Sequence, residues 1–188
     1  MSDPRSYLKQ SQIVKILKAP KKYKHRLLFS LIAHTGRRVS EVVRCLKPSD
    51  IDFEGNLINF TILKRKRPTK VLLPVKPKIV KQLKSYIKRQ SIPANRPIFT
   101  ISRQHADYIF KKAAKKVGIK RVGTGKYNKP HLHLLRHSFA IEAAKKLKNP
   151  ADLVQLKDML AHSRIDTTMF YLKFNPTEKR ELLSRMWK

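Results

Sequence analysis

Residues 57–74 read LINFTILKRKRPTKVLLP, and this stretch sets the fold class. Leu57 to Leu63 is rich in β-branched and aromatic residues and reads as a strand; Val71-Leu72-Leu73-Pro74 reads as its partner. Between them, residues 64–70 (Lys-Arg-Lys-Arg-Pro-Thr-Lys) read as a basic hairpin tip. A short strand near Ile51 to Phe53 would complete a small antiparallel sheet. On either side the period changes to that of helices. Ser11 with Ile13, Val14, Ile16 and Leu17 predicts a short helix ending near Ala19-Pro20. Leu27, Leu28, Leu31 and Ile32 recur at helical spacing until Gly36 interrupts, and a helix over 39–46 is stopped by Pro48. Helices are expected over 78–89, 103–117, 134–146, 152–160 and 167–171. A last one follows Asn175-Pro176, where Asn can cap and Pro suits the first turn. Residues 120–129, with Gly123, Gly125 and Asn128, read as a basic loop. The expected class is α+β: mostly α with a small antiparallel β-sheet.

Charge narrows the function. Lys plus Arg number 44 against 12 Asp plus Glu, a net charge of +32 on 188 residues, and such a balance points to a polyanionic partner. No apolar run approaches the roughly 20 residues of a membrane span, and the N-terminus MSDPRSYLKQ has no apolar signal region, so nucleic acid is favoured over a membrane. Hydrophobic residues make up 41% of the chain, enough for a core. The single cysteine, Cys45, excludes an internal disulfide and a Cys-rich zinc site, and on its apolar stripe it reads as a small buried hydrophobe. An intracellular compartment follows.

Three strings carry chemistry: Thr35-Gly36-Arg37-Arg38-Val39-Ser40-Glu41, His133-Leu134-Leu135-Arg136-His137-Ser138-Phe139-Ala140, and residues 159–171, which contain His162, Thr167, Thr168 and Tyr171. Phosphoryl transfer needs cations against the equatorial phosphate oxygens, either a metal or bidentate guanidinium groups. The few acidic residues are scattered and form no magnesium-holding cluster. Arginines do adjoin histidines, and His133 and Arg136 share a helix face at a spacing of three. A metal-free mechanism then calls for a protein nucleophile that conserves the phosphodiester energy as a covalent link. Tyr171, a short distance after His162, would serve. Taken singly, each element has an ordinary reading: surface arginine, core histidine, buried aromatic.

Together, in this order and spacing, the strings resemble the signature boxes of tyrosine recombinases of the integrase and Xer type. Those boxes run T-G-x-R-x-S-E, then H-x-L-R-H-S/T-F-A, then L-G-H-x-x-I-x-T-T-x-x-Y. The resemblance extends over residues 47–53 and the basic hairpin, so it spans most of the chain. It implies the catalytic-domain fold of that family, with Arg38, His133, Arg136, His162 and Tyr171 as catalytic residues. Arg37 fills the variable position and is read as non-catalytic. Glu41 is expected to support a guanidinium from behind, and His137 to be structural. The catalytic lysine is best matched by Lys66, with Lys64 and Lys70 as alternatives. Lys64, Arg65, Arg67, Lys70, Lys126 and Lys129 are expected DNA contacts.

The resemblance further implies a mechanism without metal or cofactor. The tyrosine forms a 3′-phosphotyrosyl bond, a free 5′-OH is released, and strands exchange through a Holliday junction among four protomers holding two duplexes. Double-stranded DNA is the expected partner, and a cytoplasmic, nucleoid-associated setting in a prokaryote or virus is expected. Two departures stand out. Ala161 replaces the usual glycine before His162; alanine disfavours positive φ, so a helical turn is expected there. About 35 residues precede the first box, too few for the separate DNA-binding domain the family carries. The chain 1–188 is therefore read as a single catalytic domain, either a fragment of a longer recombinase or a minimal member, with 174–188 as a tail helix that docks on a neighbouring protomer or folds back on its own core. A type IB topoisomerase and a non-enzymatic DNA-binding protein are the rival readings.

Overall fold

The computed structural model describes residues 7–63, 69–123, 128–174, 184 and 186. In chain order it forms α1 (Gln10–Lys18), α2 (Tyr23–Thr35), α3 (Val39–Cys45), β1 (Ile51–Asp52), β2 (Leu57–Ile62), β3 (Thr69–Pro74), α4 (Pro77–Arg89), α5 (Arg103–Lys116), α6 (His133–Ala144), α7 (Pro150–Leu160) and α8 (Asp166–Met169). A 3₁₀ turn over Phe170–Phe174 follows α8, so Tyr171 lies just beyond the α-helix expected to end on it. The expected class holds: a mostly helical chain with one small sheet. Among the described residues no helix is long and apolar enough to cross a membrane.

The sheet has the order β1-β2-β3 and is antiparallel throughout, with Leu57 opposite Pro74 and Ile62 opposite Thr69. Alternation sets its buried face: Ile58, Phe60 and Ile62 turn inward while Leu57, Asn59 and Thr61 stay partly exposed. That face packs on α3. Phe29 of α2 and Phe110 of α5 meet edge to face at 5.6 Å and close the main core with Phe60 and Phe99. A second, smaller cluster gathers Ala140, Ile141 and Ala144 of α6 with Leu156, Leu160 and Tyr171.

Helix ends position the chemistry. Gly36 ends α2 at φ 64°, where its N–H donates to Ile32 O at 2.9 Å. A Cβ there would fall 2.5 Å from Phe139 and 3.0 Å from Leu160, so only glycine satisfies both the turn and the approach of α6 and α7. Helix α3 starts three residues later, at Val39. Glu41 reaches back to accept the Arg38 backbone N–H at 3.0 Å, closing its first turn. Helix α7 begins with Pro150 behind an Asn149 cap, whose side chain accepts the Asp152 N–H at 2.9 Å.

Two expectations are corrected. The turn at Ala161 is left-handed, at φ 50° and ψ 48°, where a helical conformation was expected. The Ala161 N–H donates to Asp158 O at 2.9 Å and the His162 N–H to Lys157 O at 3.0 Å, the double bond of a Schellman ending. The fold needs this reversal to turn His162 inward, and alanine carries the steric cost, about 1–2 kcal/mol. Cys45 is half-buried rather than a core residue, because Val42, Val43 and Leu46 fill the core positions around the end of α3. Its partial burial pushes the thiol pKa up. The expected readings at Lys64, Arg65, Lys66, Arg67, Lys126 and most of the tail helix fall outside the described residues.

Candidate active site

Four separate segments converge on one cleft of about 610 Å³. Its lining includes Arg38 before α3, His133, Arg136 and His137 on α6, His162 after α7, and Tyr171 in the 3₁₀ turn. Arg164, Asp166 and Thr167 form part of its rim.

Arg136 is the buried anchor, with 3% of its surface exposed. Nη1 donates to Gly36 O at 2.7 Å and Nη2 to Leu160 O at 2.8 Å. Both carbonyls sit at helix C-terminal ends, where the helix dipole is negative and favours a cation. A guanidinium has five N–H donors, so two anchoring bonds leave capacity for a ligand. Burial, and secondarily the neighbouring Arg38 and Arg37, push its pKa down to about 9, so it stays charged at neutral pH. Arg38 is partly exposed, and its Nη1 donates to Glu41 Oε1 at 2.9 Å. Glu41 is 1% exposed; it both caps α3 and orients this guanidinium.

Adjacent arginines have opposite fates. The extended backbone at Arg38 (φ −71°, ψ 141°) sends that side chain to the cleft, and Arg37 into the core with no exposed surface. Arg37 donates through Nη2 to Met159 O, lies 4.0 Å from Glu41 Oε2, and stands 5.8 Å from the Phe60 ring centroid. Burial pushes its pKa down to about 10. It ties α7 to α3 and the sheet, a structural role that the sequence pattern does not signal.

The nucleophile candidate sits among histidines. Tyr171 is 8% exposed, and its hydroxyl lies 3.3 Å from His137 Nδ1. Burial pushes the phenol pKa up, while the Arg136 and Arg38 charges pull against that shift. His137 is 4% exposed and is pushed down to about 4, chiefly by burial. Its ring is therefore neutral at pH 7 and can accept the phenol proton at Nδ1. The His162 ring stacks on Tyr171 at 6.3 Å and 17°, and its Nδ1 shares a 2.9 Å hydrogen bond with the buried Thr168 Oγ1. His133 is exposed at the cleft mouth. The protein around its ring, and then Arg136 among other cations, hold it below the ordinary histidine range. Solvent contact tempers the first cause, and the cations act in the same direction.

Of the residues predicted from sequence, the cleft thus brings together Arg38, His133, Arg136, His137, His162 and Tyr171, with Glu41 behind Arg38. Lys70 stands at the base of the hairpin, where its ammonium pairs with Asp50 Oδ1 at 3.3 Å. Lys129 is exposed outside the cleft lining. The sequence reading missed the link between His137 and Tyr171 and the part of Thr168 in fixing the His162 ring. A signal existed for each: His137 is four residues after His133, hence on the same helix face, and Thr168 belongs to the third string. Among the described residues no group of three or more His, Cys, Asp or Glu could hold a metal ion.

The fold is shared with solved structures of an integrase and of a site-specific recombinase. The catalytic domain of bacteriophage HP1 integrase superposes with a TM-score of 0.69 at 22% identity, covering 95% of this chain and 94% of that one. A site-specific recombinase, XerH, bound to a palindromic difH substrate, superposes at 0.71 and 22% identity, covering 99% of this chain and 54% of that one. The phage integrase family model matches residues 6–178, and the chain belongs to that family. Tyrosine recombinase XerA of Thermococcus onnurineus is 31% identical, covering 90% of this chain and 58% of the relative. XerA of Saccharolobus solfataricus is 32% identical, covering 87% and 50%. The chain therefore spans between half and three-fifths of these two relatives.

Proposed function

We propose that this chain cleaves and rejoins double-stranded DNA as the catalytic domain of a tyrosine recombinase, through a 3′-phosphotyrosyl bond at Tyr171. The observation that carries this reading is the convergence of Arg38, Arg136, His133, His162 and Tyr171, from distant parts of the chain, on one cationic cleft.

A scissile phosphate entering the cleft meets the two guanidinium groups, which take its non-bridging oxygens and stabilise the charge that grows as the phosphorus becomes five-coordinate. The Tyr171 oxygen attacks phosphorus, the bond to the 5′ oxygen breaks, and the phenol proton passes to a neutral histidine. His137 already holds that hydroxyl, and His133 stands at the mouth. Base assistance matters here. A free phenol titrates near 10, burial raises Tyr171 further, and a bound phosphate cancels part of the arginine charge that lowers it. His162 donates to a phosphate oxygen. The leaving 5′ oxygen takes a proton from Lys66, the hairpin lysine. Attack of a partner strand's 5′-OH reverses the chemistry and completes strand transfer.

In this proposal residues 1–188 act as one catalytic unit, several copies assemble on DNA, and the C-terminal tail docks on a neighbouring protomer. The test pairs two substrates. A nicked suicide duplex should trap a covalent adduct, and two duplexes should exchange strands. An adduct with supercoil relaxation but no exchange would move the reading to a topoisomerase. No adduct on any duplex would leave only binding.

A further inference from the structure

Away from the catalytic cleft, the turn joining α1 to α2 faces α5 across a second cleft of about 380 Å³, a volume typical of small-molecule sites. His25 lines it. That side chain is 8% exposed, and its buried Nε2 has no hydrogen-bond partner among the described residues. A buried imidazole nitrogen without a partner costs on the order of 1–3 kcal/mol and marks a place where a ligand atom fits. The rest of the lining is cationic. Lys21 and Lys22 come from the turn, and Lys112 and Lys116, one helical turn apart, come from α5. All four are exposed, and none takes part in the ion pairs found among the described residues. Helix α2 begins at the same place. Its N-cap is Lys22, no side chain caps it, and its first turn holds no acid, so the positive end of a 13-residue helix is left uncompensated.

We propose that this cleft binds a phosphate ester, with His25 Nε2 meeting a phosphate oxygen and Lys21, Lys22, Lys112 and Lys116 supplying the countercharge. Anions are the ligands that helix starts favour, and an acceptor-rich group pairs with the Nε2–H tautomer of this imidazole amid four ammonium groups. The rim adds aromatic surface: Tyr108 is 50% exposed, stacks with His105 at 6.1 Å, and carries Lys112 Nζ 4.8 Å above its ring. Such a platform suits the sugar or base attached to the phosphate. The turn is held in shape by Arg26, whose Nη1 donates to Pro20 O at 2.9 Å and to Lys21 O at 2.8 Å. Burial, followed by the neighbouring lysine charges, holds His25 below the ordinary histidine range, so a bound anion reverses the electrostatics at that ring. The phosphate can come from a DNA backbone outside the reacting step or from a free nucleotide.

The test follows the ring signals of the seven histidines by nuclear magnetic resonance, with His25 assigned through His25→Gln. Inorganic phosphate, a 5′-mononucleotide and a short duplex are titrated separately. The His25 signal should move saturably, while that of His34, at the far end of α2, stays in place. The double variant Lys112→Glu/Lys116→Glu, at exposed positions and with its fold checked by a melting curve, should raise the concentration required at least about tenfold, equal to about 1.4 kcal/mol. Movement at lower duplex than mononucleotide concentration assigns the site to DNA backbone, and the reverse order assigns it to a free phosphate ester. An unmoved His25 with all three probes, or saturation unchanged in the double variant, overturns the proposal.

Discussion

The Tyr171 hydroxyl lies 3.3 Å from His137 Nδ1, and both side chains are more than nine-tenths buried. A neutral imidazole thus holds the nucleophile candidate against α6, beside the guanidinium of Arg136 one residue earlier. The stability of this arrangement depends on pH with a definite sign. His137 titrates near 4 in the folded chain and near 6.5 when unfolded, so between those values the unfolded state binds more protons. Stability is fully present above about 6.5 and is lost as pH falls towards 4, by a few kcal/mol in order of magnitude. His133 and His25 are shifted in the same direction. Melting temperatures measured from pH 7.5 to 4.5 should fall, and His137→Asn should flatten the dependence. An unchanged slope in that variant would show that His137 is protonated without penalty.

Arg37 and Arg38 should separate cleanly. Arg38→Lys keeps the charge but loses the planar fork. Cleavage should slow about a hundredfold or more, comparable to losing a preorganised oxyanion donor, with little change in melting. Arg37→Ala removes a fully buried cation that holds Met159 O and faces Glu41. It should destabilise the fold by about 3–5 kcal/mol while the folded fraction still cleaves. Rates and melting curves on both variants decide it, and equal kinetic effects at well-folded protein would contradict the division.

The hairpin was legible from residues 57–74 because alternation of β-branched residues has a period no helix shares. The three strings made a gathered site legible because spacing within each is local. What sequence could not carry is long-range or confined to one dihedral angle. The glycine usual at the position of Ala161 was the one signal that the chain reverses there, and alanine's propensity argued against it; the hydrogen bonds that end α7 decide it. Arg37 was read only as a non-catalytic residue at a variable position, and its burial was not legible because the groups that receive it, Phe60 and Met159, come from remote segments. His137 was read as structural because its partner is 34 residues away.

The strain at Ala161 is itself testable. Ala161→Gly relieves a left-handed alanine and should stabilise the chain by about 1 kcal/mol, a rise of roughly 2–4 °C in melting temperature for a chain of this size. Ala161→Val should do the opposite, because a β-branched residue at positive φ is a steric outlier. A lower melting temperature for the glycine variant would mean that the turn is not left-handed in solution.

Affinity for DNA should be dominated by phosphate contacts, given 44 basic residues against 12 acidic ones. Log affinity should fall with log salt at a slope of about −0.9 per phosphate neutralised, so that roughly six to ten contacts lose about a thousandfold or more between about 50 and 200 mM. Sequence preference should be weak for the isolated chain, since hairpin and loop lysines read charge and groove shape more than base edges. Binding of a target and a scrambled duplex across a salt series measures both, and a shallow slope with a strong preference would contradict this.

The covalent residue is the most direct measurement. Protein trapped on a nicked duplex in excess EDTA is digested, and the peptide that carries the nucleotide is sequenced by mass spectrometry. A 3′-phosphotyrosyl nucleotide on Tyr171 is expected, undiminished by chelation because two arginines supply the positive charge, with no adduct from Tyr171→Phe although that variant binds DNA within a few-fold. A nucleotide attached elsewhere, an adduct that survives Tyr171→Phe, or activity lost to EDTA and restored by magnesium would contradict it.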